Sequence, residues 1–183
     1  MCGTAMEFIM RIRNETKADI PAIRELVSTA FAGKAYSSRT EAAIVDALRG
    51  NRALSATLVA EDGGRIVGHV AFSPVMINGR DLGWYGLGPI AVTPERQGEG
   101  IGTGLVKVGL AAIRKLGAQG CVLLGDPKYY GRFGFKADAR LRLAGVPAEY
   151  FQALCFSGEM PSGMVTYDAA FDITTDEAPR HVT

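Results

Sequence analysis

The chain has 183 residues, and 20 Lys and Arg against 19 Asp and Glu leave a formal net charge of +1. This balance lacks the strongly basic face of nucleic-acid-binding proteins, so nucleic acid is excluded as a partner. The longest stretch without a charged residue, residues 66–79, has 14 residues. A membrane span needs roughly 18, so no membrane association is expected.

The composition is that of a globular protein, with 48% hydrophobic and 21% charged residues. Its length suits one domain. We predict a single domain over residues 11–171. Residues 1–10 are predicted to be disordered or foreign to the fold, and residues 172–183 to form a polar C-terminal tail.

Cysteine and histidine spacing gives no metal or disulfide pattern. Cys2, Cys121 and Cys155 are odd in number and widely spaced, and His69 and His181 lie far from any paired-ligand motif. Neither a zinc site nor a disulfide framework can be composed from this set. We therefore expect no metal and a reducing, cytoplasmic location.

Hydrophobic periodicity predicts two helices and then a run of strands in the first half of the chain. Apolar residues recur at helical spacing after Asp19, which is expected to cap the first helix. The period then changes to two, and an Asn-Gly pair at residues 78–79 indicates a hairpin. In the strand before this pair, Ile66 and Val70 are expected to share a face, with His69 on the other. The predicted elements are a strand at 11–13, helices at 20–31 and 40–49, and strands at 55–61, 65–77 and 82–92.

Glycine is concentrated in the middle of the chain, where eight of the 23 glycines fall between residues 79 and 104. Gly86, Gly88 and Pro89 interrupt the strand at 82–92, and such residues inside a strand indicate a bulge. We place this bulge at residues 86–89. The later glycines form a turn at residues 96–104, which leads into a helix that ends at Leu116.

This glycine-rich turn predicts a phosphate site. A helix N-terminus has free N–H groups and a partial positive charge, and glycine leaves that backbone open to an anion. The patterns Gly-x-x-x-x-Gly-Lys-Ser/Thr and Gly-x-Gly-x-x-Gly both fail to match here. The pattern that fits is Gln/Arg-x-x-Gly-x-Gly/Ala, read as Gln97, Gly100 and Gly102.

After this helix, a continuous apolar run predicts a buried strand at residues 121–125. A short helix at 127–133, ended by Gly134, and several short strands follow. The whole pattern is an antiparallel meander with helices on its faces and one strand–loop–helix–strand crossover. The predicted class is α+β.

Three segments together match the pattern of one known family. They read Gly-Pro-Ile-Ala-Val-Thr-Pro at 88–94, Arg-Gln-Gly-Glu-Gly-Ile-Gly at 96–102, and Gly-Asp-Pro-Lys-Tyr-Tyr-Gly-Arg-Phe-Gly-Phe at 125–135. With them the chain, from about residue 11 to 171, resembles the GNAT superfamily of N-acetyltransferases, and particularly its small bacterial predicted N-acetyltransferase branch. The resemblance implies a mixed, mostly antiparallel central sheet flanked by helices and splayed at the strand before the glycine loop.

The resemblance also implies a reaction, in which a primary amine attacks the thioester of acetyl-CoA directly. Tyr130 matches the family's general acid, which protonates the departing thiolate. A phenol of pKa ~10 lies only about 1.5 units above a thiol of ~8.5, so this transfer is chemically reasonable. Tyr129 is expected to pack the short helix instead. The cofactor-binding residues implied are Ile90, Ala91 and Val92 for the pantetheine arm, and Gln97, Gly98, Glu99, Gly100, Ile101 and Gly102 for the diphosphate.

The general base stays open in the sequence. Many relatives place a Glu on the strand before the glycine loop, but residues 82–92 contain no acid. The candidates are His69, Tyr85, Ser73 or a chain of waters, although a lone histidine is more often structural.

The acceptor also stays open. A small-molecule or peptide amine is expected, and family geometry implies Tyr36 and Arg39 as acceptor-site residues. The alternative to an enzyme is a non-catalytic acyl-CoA-binding sensor or interaction module. Within the enzyme class, the rival is a different acyl group or a non-amine acceptor, and a weaker alternative is a protein that binds ATP in the same turn. The oligomeric state also stays open, with a homodimer as one option.

Overall fold

The computed structural model of the chain describes residues 10–35 and 37–174. The terminal segments predicted at 1–10 and 172–183 fall largely outside these residues and stay predictions. The elements are β1 (Arg11–Asn14), α1 (Ile20–Phe31), α2 (Glu41–Gly50), β2 (Ala56–Asp62), β3 (Arg65–Ile77), β4 (Arg80–Val92), α3 (Ile101–Lys115), β5 (Gly120–Leu124), α4 (Pro127–Tyr130), β6 (Leu141–Arg142), β7 (Phe151–Cys155) and β8 (Gly163–Thr166).

The strands form one mixed sheet in the order β1-β2-β3-β4-β5-β7. All neighbours on this path are antiparallel except β4 and β5, which the α3 crossover joins as a parallel pair. The two-residue strand β6 pairs with β8, and β8 pairs with the end of β3. The predicted α+β class with a mostly antiparallel sheet is therefore confirmed.

Helix α3 packs on one face of the sheet and forms the largest part of the core. Phe72 of β3 is fully buried there with Leu105 and Ile113 of the helix. A Cβ on Gly109 would overlap the ring of Phe72, so a glycine at this point lets the helix approach the sheet closely. Truncating a buried phenylalanine to alanine costs about 3–5 kcal/mol. This packing fixes the direction in which the start of α3 points.

Helices α1 and α2 cover the opposite face of the sheet. Ile23 and Val27 of α1 pack with Val45 of α2 on Val59 and Ala91 of the strands. The turn before α1 differs from the expectation, because Asp19 does not cap that helix. Its carboxylate instead accepts hydrogen bonds from the Thr16 backbone and from Arg13.

The predicted face of Ile66 is wrong. The register between β2 and β3 shifts at Ala60 and Glu61, and Ile66 packs against the α1–α2 cluster while Val70 lies on the α3 side. A bulge breaks the alternation of side chains along a strand. A period-two sequence pattern assumes unbroken alternation and therefore cannot predict such a break. His69 does lie opposite Val70, as predicted.

Candidate active site

The turn before α3 is open. Gly98 and Gly100 have φ angles of 87° and 86°, a left-handed conformation that glycine adopts without strain. Apart from their own chain neighbours, no atom of the described residues lies within 4 Å of where a Cβ on either would stand. Gly100 is the N-cap, and no side chain of the described residues caps the helix. Gln97 N–H donates to the Pro94 carbonyl at 3.4 Å, and the next backbone bond along the turn, from Gly104 N to Gly100 O, is 2.9 Å long. Within the described residues, the amides of residues 98–103 are thus left available to an anion.

Side chains brace this turn from outside. Gln97 donates from Nε2 to the carbonyl of Val92 at 3.1 Å, which ties the turn to the end of β4. Arg96 donates to Asp62 at 2.8 Å and to Glu99 at 2.6 Å. Ile101 is only 2% exposed because its side chain enters the core, so it offers the turn only its backbone.

The sheet splays beside this turn, as predicted. β4 and β5 pair only from Trp84 with Gly120 to Gly86 with Val122. The register between β3 and β4 shifts where Val70 pairs with Ile90 but Phe72 with Leu87, which confirms a bulge within residues 86–89. Beyond Gly86, β3 is the only partner of β4 within residues 10–35 and 37–174, so Ile90, Ala91 and Val92 present one backbone edge to the gap.

Helix α4 lies across the gap from β4. Asp126 accepts a hydrogen bond from the Lys128 backbone at 2.9 Å, and Pro127 occupies the first helical position. The ring of Tyr130 covers Gly125, where a Cβ would overlap it, and meets Phe135 edge-on with centroids 6.2 Å apart. The end of β5 and the core behind it therefore orient Tyr130.

Tyr129 points the other way, towards α3. Its hydroxyl lies 3.0 Å from the position of a Cβ on Gly102. The guanidinium carbon of Arg132 stacks 4.5 Å from the centroid of the Tyr129 ring. The expectation that Tyr129 only packs the short helix against the sheet does not account for this reach.

The three side chains considered as the base are on different sides of the sheet. Tyr85 packs with the core on the α3 side. His69 is fully buried on the α1–α2 side, beside Val59 and Ala91. Ser73 shares that side because it is four residues further along β3, and its buried hydroxyl has no partner among the described residues.

His69 belongs to a polar network between the strands and α2. Its Nε2 is 3.0 Å from the Thr57 hydroxyl and 3.4 Å from a Glu15 oxygen. Thr57 donates to Glu15 at 2.6 Å, and Arg49 donates to both Glu15 oxygens at 3.0 and 3.1 Å. Burial raises the pKa of Glu15, but hydrogen bonds from His69, Thr57 and Arg49 outweigh it and lower that pKa overall.

Two residues near the gap carried no signal in the sequence. The ring of Tyr167, after β8, lies against Gly86 at the last residue pair between β4 and β5. Gln152 of β7 is 1% exposed and donates to the Gly125 carbonyl at 2.9 Å. Gln152 reaches the gap from β7 and Tyr167 from the segment after β8; both are distant in sequence from β4, and only the fold brings them there.

The loop between α1 and α2 is described in part. Tyr36 lies outside the described residues. Arg39 has a φ of 62°, and its backbone N–H donates to the Ser37 hydroxyl at 2.9 Å. Phe31, Arg39 and Glu41 line a recess of about 300 Å³ between the helices.

Among the described residues, the candidate metal ligands form no metal centre and the cysteines are free. Over residues 10–35 and 37–174, no group of three His, Cys, Asp or Glu side chains could hold a metal ion. Cys121 and Cys155 are free thiols, and burial raises the pKa of Cys121. None of the helices in this part of the chain is long and apolar enough to span a membrane.

Comparison with known proteins gives the family. A model of the GNAT acetyltransferase domain matches residues 11–137. The chain belongs to the GNAT family of acetyltransferases. It is similar to the uncharacterized N-acetyltransferase YhbS of Escherichia coli K12, with 39% identity over 146 residues, which are 77% of this chain and 84% of YhbS.

Two solved structures are close in fold. A GNAT family acetyltransferase from Brucella melitensis, crystallised with acetyl-CoA, is 52% identical with a TM-score of 0.82, covering 91% of this chain and 100% of that one. YhbS from Escherichia coli, crystallised with CoA, is 34% identical with a TM-score of 0.85, covering 94% of this chain and 97% of that one. Both relatives were therefore crystallised with the coenzyme, as acetyl-CoA or CoA, that the resemblance to the GNAT superfamily implies.

Proposed function

We propose that this protein transfers an acetyl group from acetyl-CoA to a primary amine by direct attack of the amine on the thioester. The observation that carries the proposal is the open turn at residues 97–102 beside the unpaired edge of β4. Its free amides suit a diphosphate. The strand edge suits the amide groups of a pantetheine arm, which would pair with it as an added strand does.

Tyr130 is the acid in this reaction. Its ring is oriented by Gly125 and Phe135 on the far side of the gap from β4. When the amine nitrogen bonds to the carbonyl carbon and the C–S bond breaks, the thiolate takes the proton of the phenol. From ordinary pKa values the transfer is uphill by roughly 2 kcal/mol. A positioned hydrogen bond in the transition state offsets that cost.

His69 is the base. The Thr57 hydroxyl gives its only hydrogen to Glu15, so it accepts from His69 Nε2–H, and Nδ1 carries the basic lone pair. Nδ1 is buried without a partner among the described residues, a state that costs about 1–3 kcal/mol unless a water meets it. Because His69 is fully buried, a water carries the amine proton to it. Tyr85 takes no part in this proton transfer, because its side chain packs on the α3 side of the sheet.

The experiment that tests the function is release of CoA thiol from acetyl-CoA. The purified chain is assayed with α-amines, lysine ε-amines, polyamines and aminoglycosides, and with propionyl-CoA beside acetyl-CoA. Amine-dependent release supports the proposal and identifies the acceptor class. Tight CoA binding without release for any amine favours the alternative, an acyl-CoA-binding sensor. Competition by ATP for the same site would favour a nucleotide-binding role.

Location and assembly belong to the same proposal. Cys121 and Cys155 are free, which is typical of proteins in a reducing compartment, so we place the protein in the cytoplasm. A homodimer stays a prediction, which light scattering of the purified chain tests.

A further inference from the structure

Tyr129 and Tyr130 are neighbours in sequence, but their side chains point to opposite sides of the gap. Their rings meet edge-on, with centroids 4.9 Å apart and planes at 85°. Tyr130 turns back onto Gly125, whereas the Tyr129 hydroxyl reaches the first turn of α3. A Cβ on Gly102 would be 3.0 Å from that hydroxyl and 3.7 Å from Val92. The hydroxyl therefore lies where the end of β4 meets the glycine turn.

Neighbouring side chains hold the ring of Tyr129, and through the ring they fix the position of its hydroxyl. Arg132 stacks on the ring and donates from Nε to the Tyr129 carbonyl at 2.9 Å. Phe133 packs edge-on with centroids 5.7 Å apart. Within the described residues, no protein group hydrogen-bonds the hydroxyl. These contacts fix the hydroxyl in place and leave it free to donate to something that enters the turn.

The surroundings of the hydroxyl favour an anion. The free amides of the α3 turn lie on one side of it, and the exposed guanidinium of Arg132 lies against its ring. Hydrogen bonds from a neutral donor to an ionised phosphate oxygen are stronger than those between neutral groups. A hydroxyl whose role is only to pack would gain nothing from this position.

We propose that Tyr129 is a cofactor-binding residue whose hydroxyl donates a hydrogen bond to the diphosphate of acetyl-CoA. This inference rests on the proposed function, since it requires the cofactor in the glycine turn. The diphosphate is then held from two walls, by backbone amides of α3 and by a side chain of α4. The two tyrosines then have different roles: Tyr129 binds the cofactor, and Tyr130 protonates its thiolate.

The test is isothermal titration with CoA, which needs no knowledge of the amine. Tyr129→Phe keeps the ring and its stacking and removes only the hydroxyl. One hydrogen bond to a charged group corresponds to roughly a tenfold or larger loss of affinity. Tyr130→Phe is the matched control, with CoA affinity expected within about twofold of the unaltered protein. Thermal unfolding of both variants checks that the fold is retained.

A second ligand locates the contact on the cofactor. Adenosine 3′-phosphate 5′-diphosphate keeps the diphosphate and lacks pantetheine, so Tyr129→Phe should weaken both ligands by a similar factor. A loss seen with CoA alone would contradict the assignment to the diphosphate.

Gly102→Ala adds an independent measurement. The new methyl group crowds the hydroxyl, so CoA affinity should fall in the unaltered background and much less in Tyr129→Phe, which lacks the crowded atom. An equal loss in both backgrounds contradicts the shared contact.

The results separate the two proposals. If the unaltered protein binds no CoA, the proposed function is wrong and the inference is wrong with it. If the unaltered protein binds CoA and Tyr129→Phe binds it equally well, only the inference is overturned.

Discussion

The ring of Tyr167 lies against Gly86, at the last residue where β4 pairs with β5. The ring also packs on Phe171, with centroids 4.8 Å apart, and burial raises the pKa of its phenol. The segment after β8 therefore reaches the point at which the sheet opens. A side chain larger than hydrogen at residue 86 cannot coexist with the ring in this position.

Gly86→Ala should destabilise the protein by about 1–3 kcal/mol, the usual cost of overpacking a filled site. The added Cβ would overlap the Tyr167 ring and displace it. Urea denaturation measures the free energy of unfolding. In a Tyr167→Ala background the overlap is gone, so the same substitution should cost little. An equal cost in both backgrounds would assign the effect to the strand itself.

Tyr130→Phe should lower kcat by about 100-fold or more, the range of a general acid. The KM for acetyl-CoA should change little, because the ring and its packing on Gly125 are retained. Initial rates of thiol release measure both constants, with Tyr129→Phe as the control that affects KM instead. A kcat equal to that of the unaltered protein removes Tyr130 from the mechanism.

Elements with regular periodicity were predictable from the sequence. The bounds of α1 and β3 match the prediction residue for residue, because each has a clear apolar stripe or alternation and a turn signal at its end. Ile66 was misplaced because the bulge beside it in β3, at residue 67, depends on pairing with β2. The strands after residue 135 had no sharp prediction, since β6 is only two residues long and pairs with a strand distant in sequence.

The site was predictable where its chemistry is local. The glycine turn and the bulge both lie in one continuous segment, so the sequence alone placed them. The Glu15–Thr57–His69 network joins three segments of the chain, and Tyr167 comes from a fourth. Such residues meet only after long-range strand pairing, which single-sequence patterns do not encode.

Gly100→Ala should weaken CoA binding by at least tenfold. Its φ of 86° disfavours any other residue, and the methyl group would point into the open turn. Gly117→Ala is a matched control at the other end of α3, since Gly117 has the same φ of 86° and the same open space. Both variants should lose similar stability, of about 1 kcal/mol. Only Gly100→Ala should lose CoA affinity in a titration, and an equal loss in Gly117→Ala would point to strain alone.

His69→Gln should remove one limb of the pH–rate profile. Glutamine can still donate to Glu15 and Thr57, but it has no basic nitrogen in place of Nδ1. In the unaltered protein, kcat/KM for the amine should fall at low pH, as expected of a reaction that needs an unprotonated general base. The charged groups facing His69 are Glu15 and, behind it, Arg49, which also bonds to Asp46.

The profile is measured with the amine that the thiol-release assay identifies. Tyr85→Phe, on the opposite face, should leave the profile unchanged. A limb due to the amine itself should persist in His69→Gln. If every limb persists with full activity, His69 is not the base.

Asp19→Asn should destabilise the protein at neutral pH by about 2 kcal/mol. Hydrogen bonds from Arg13 hold the pKa of the Asp19 carboxyl well below its usual range, and hydrogen bonds from Thr16 add to this effect. A carboxyl whose pKa is lowered by folding contributes stability above its unfolded pKa of ~3.9 and loses it as the pH falls towards the folded value. The difference between the variant and the unaltered protein should thus be constant from pH 7 to about pH 5 and shrink below about pH 4.

Asp138→Asn is the control. The Arg140 side chain lowers the pKa of Asp138 to about 2, yet this exposed pair should change stability by less than about 1 kcal/mol. Urea denaturation at several pH values measures both, and a difference for Asp19→Asn that does not shrink in acid would show that the carboxylate charge is not the stabilising feature.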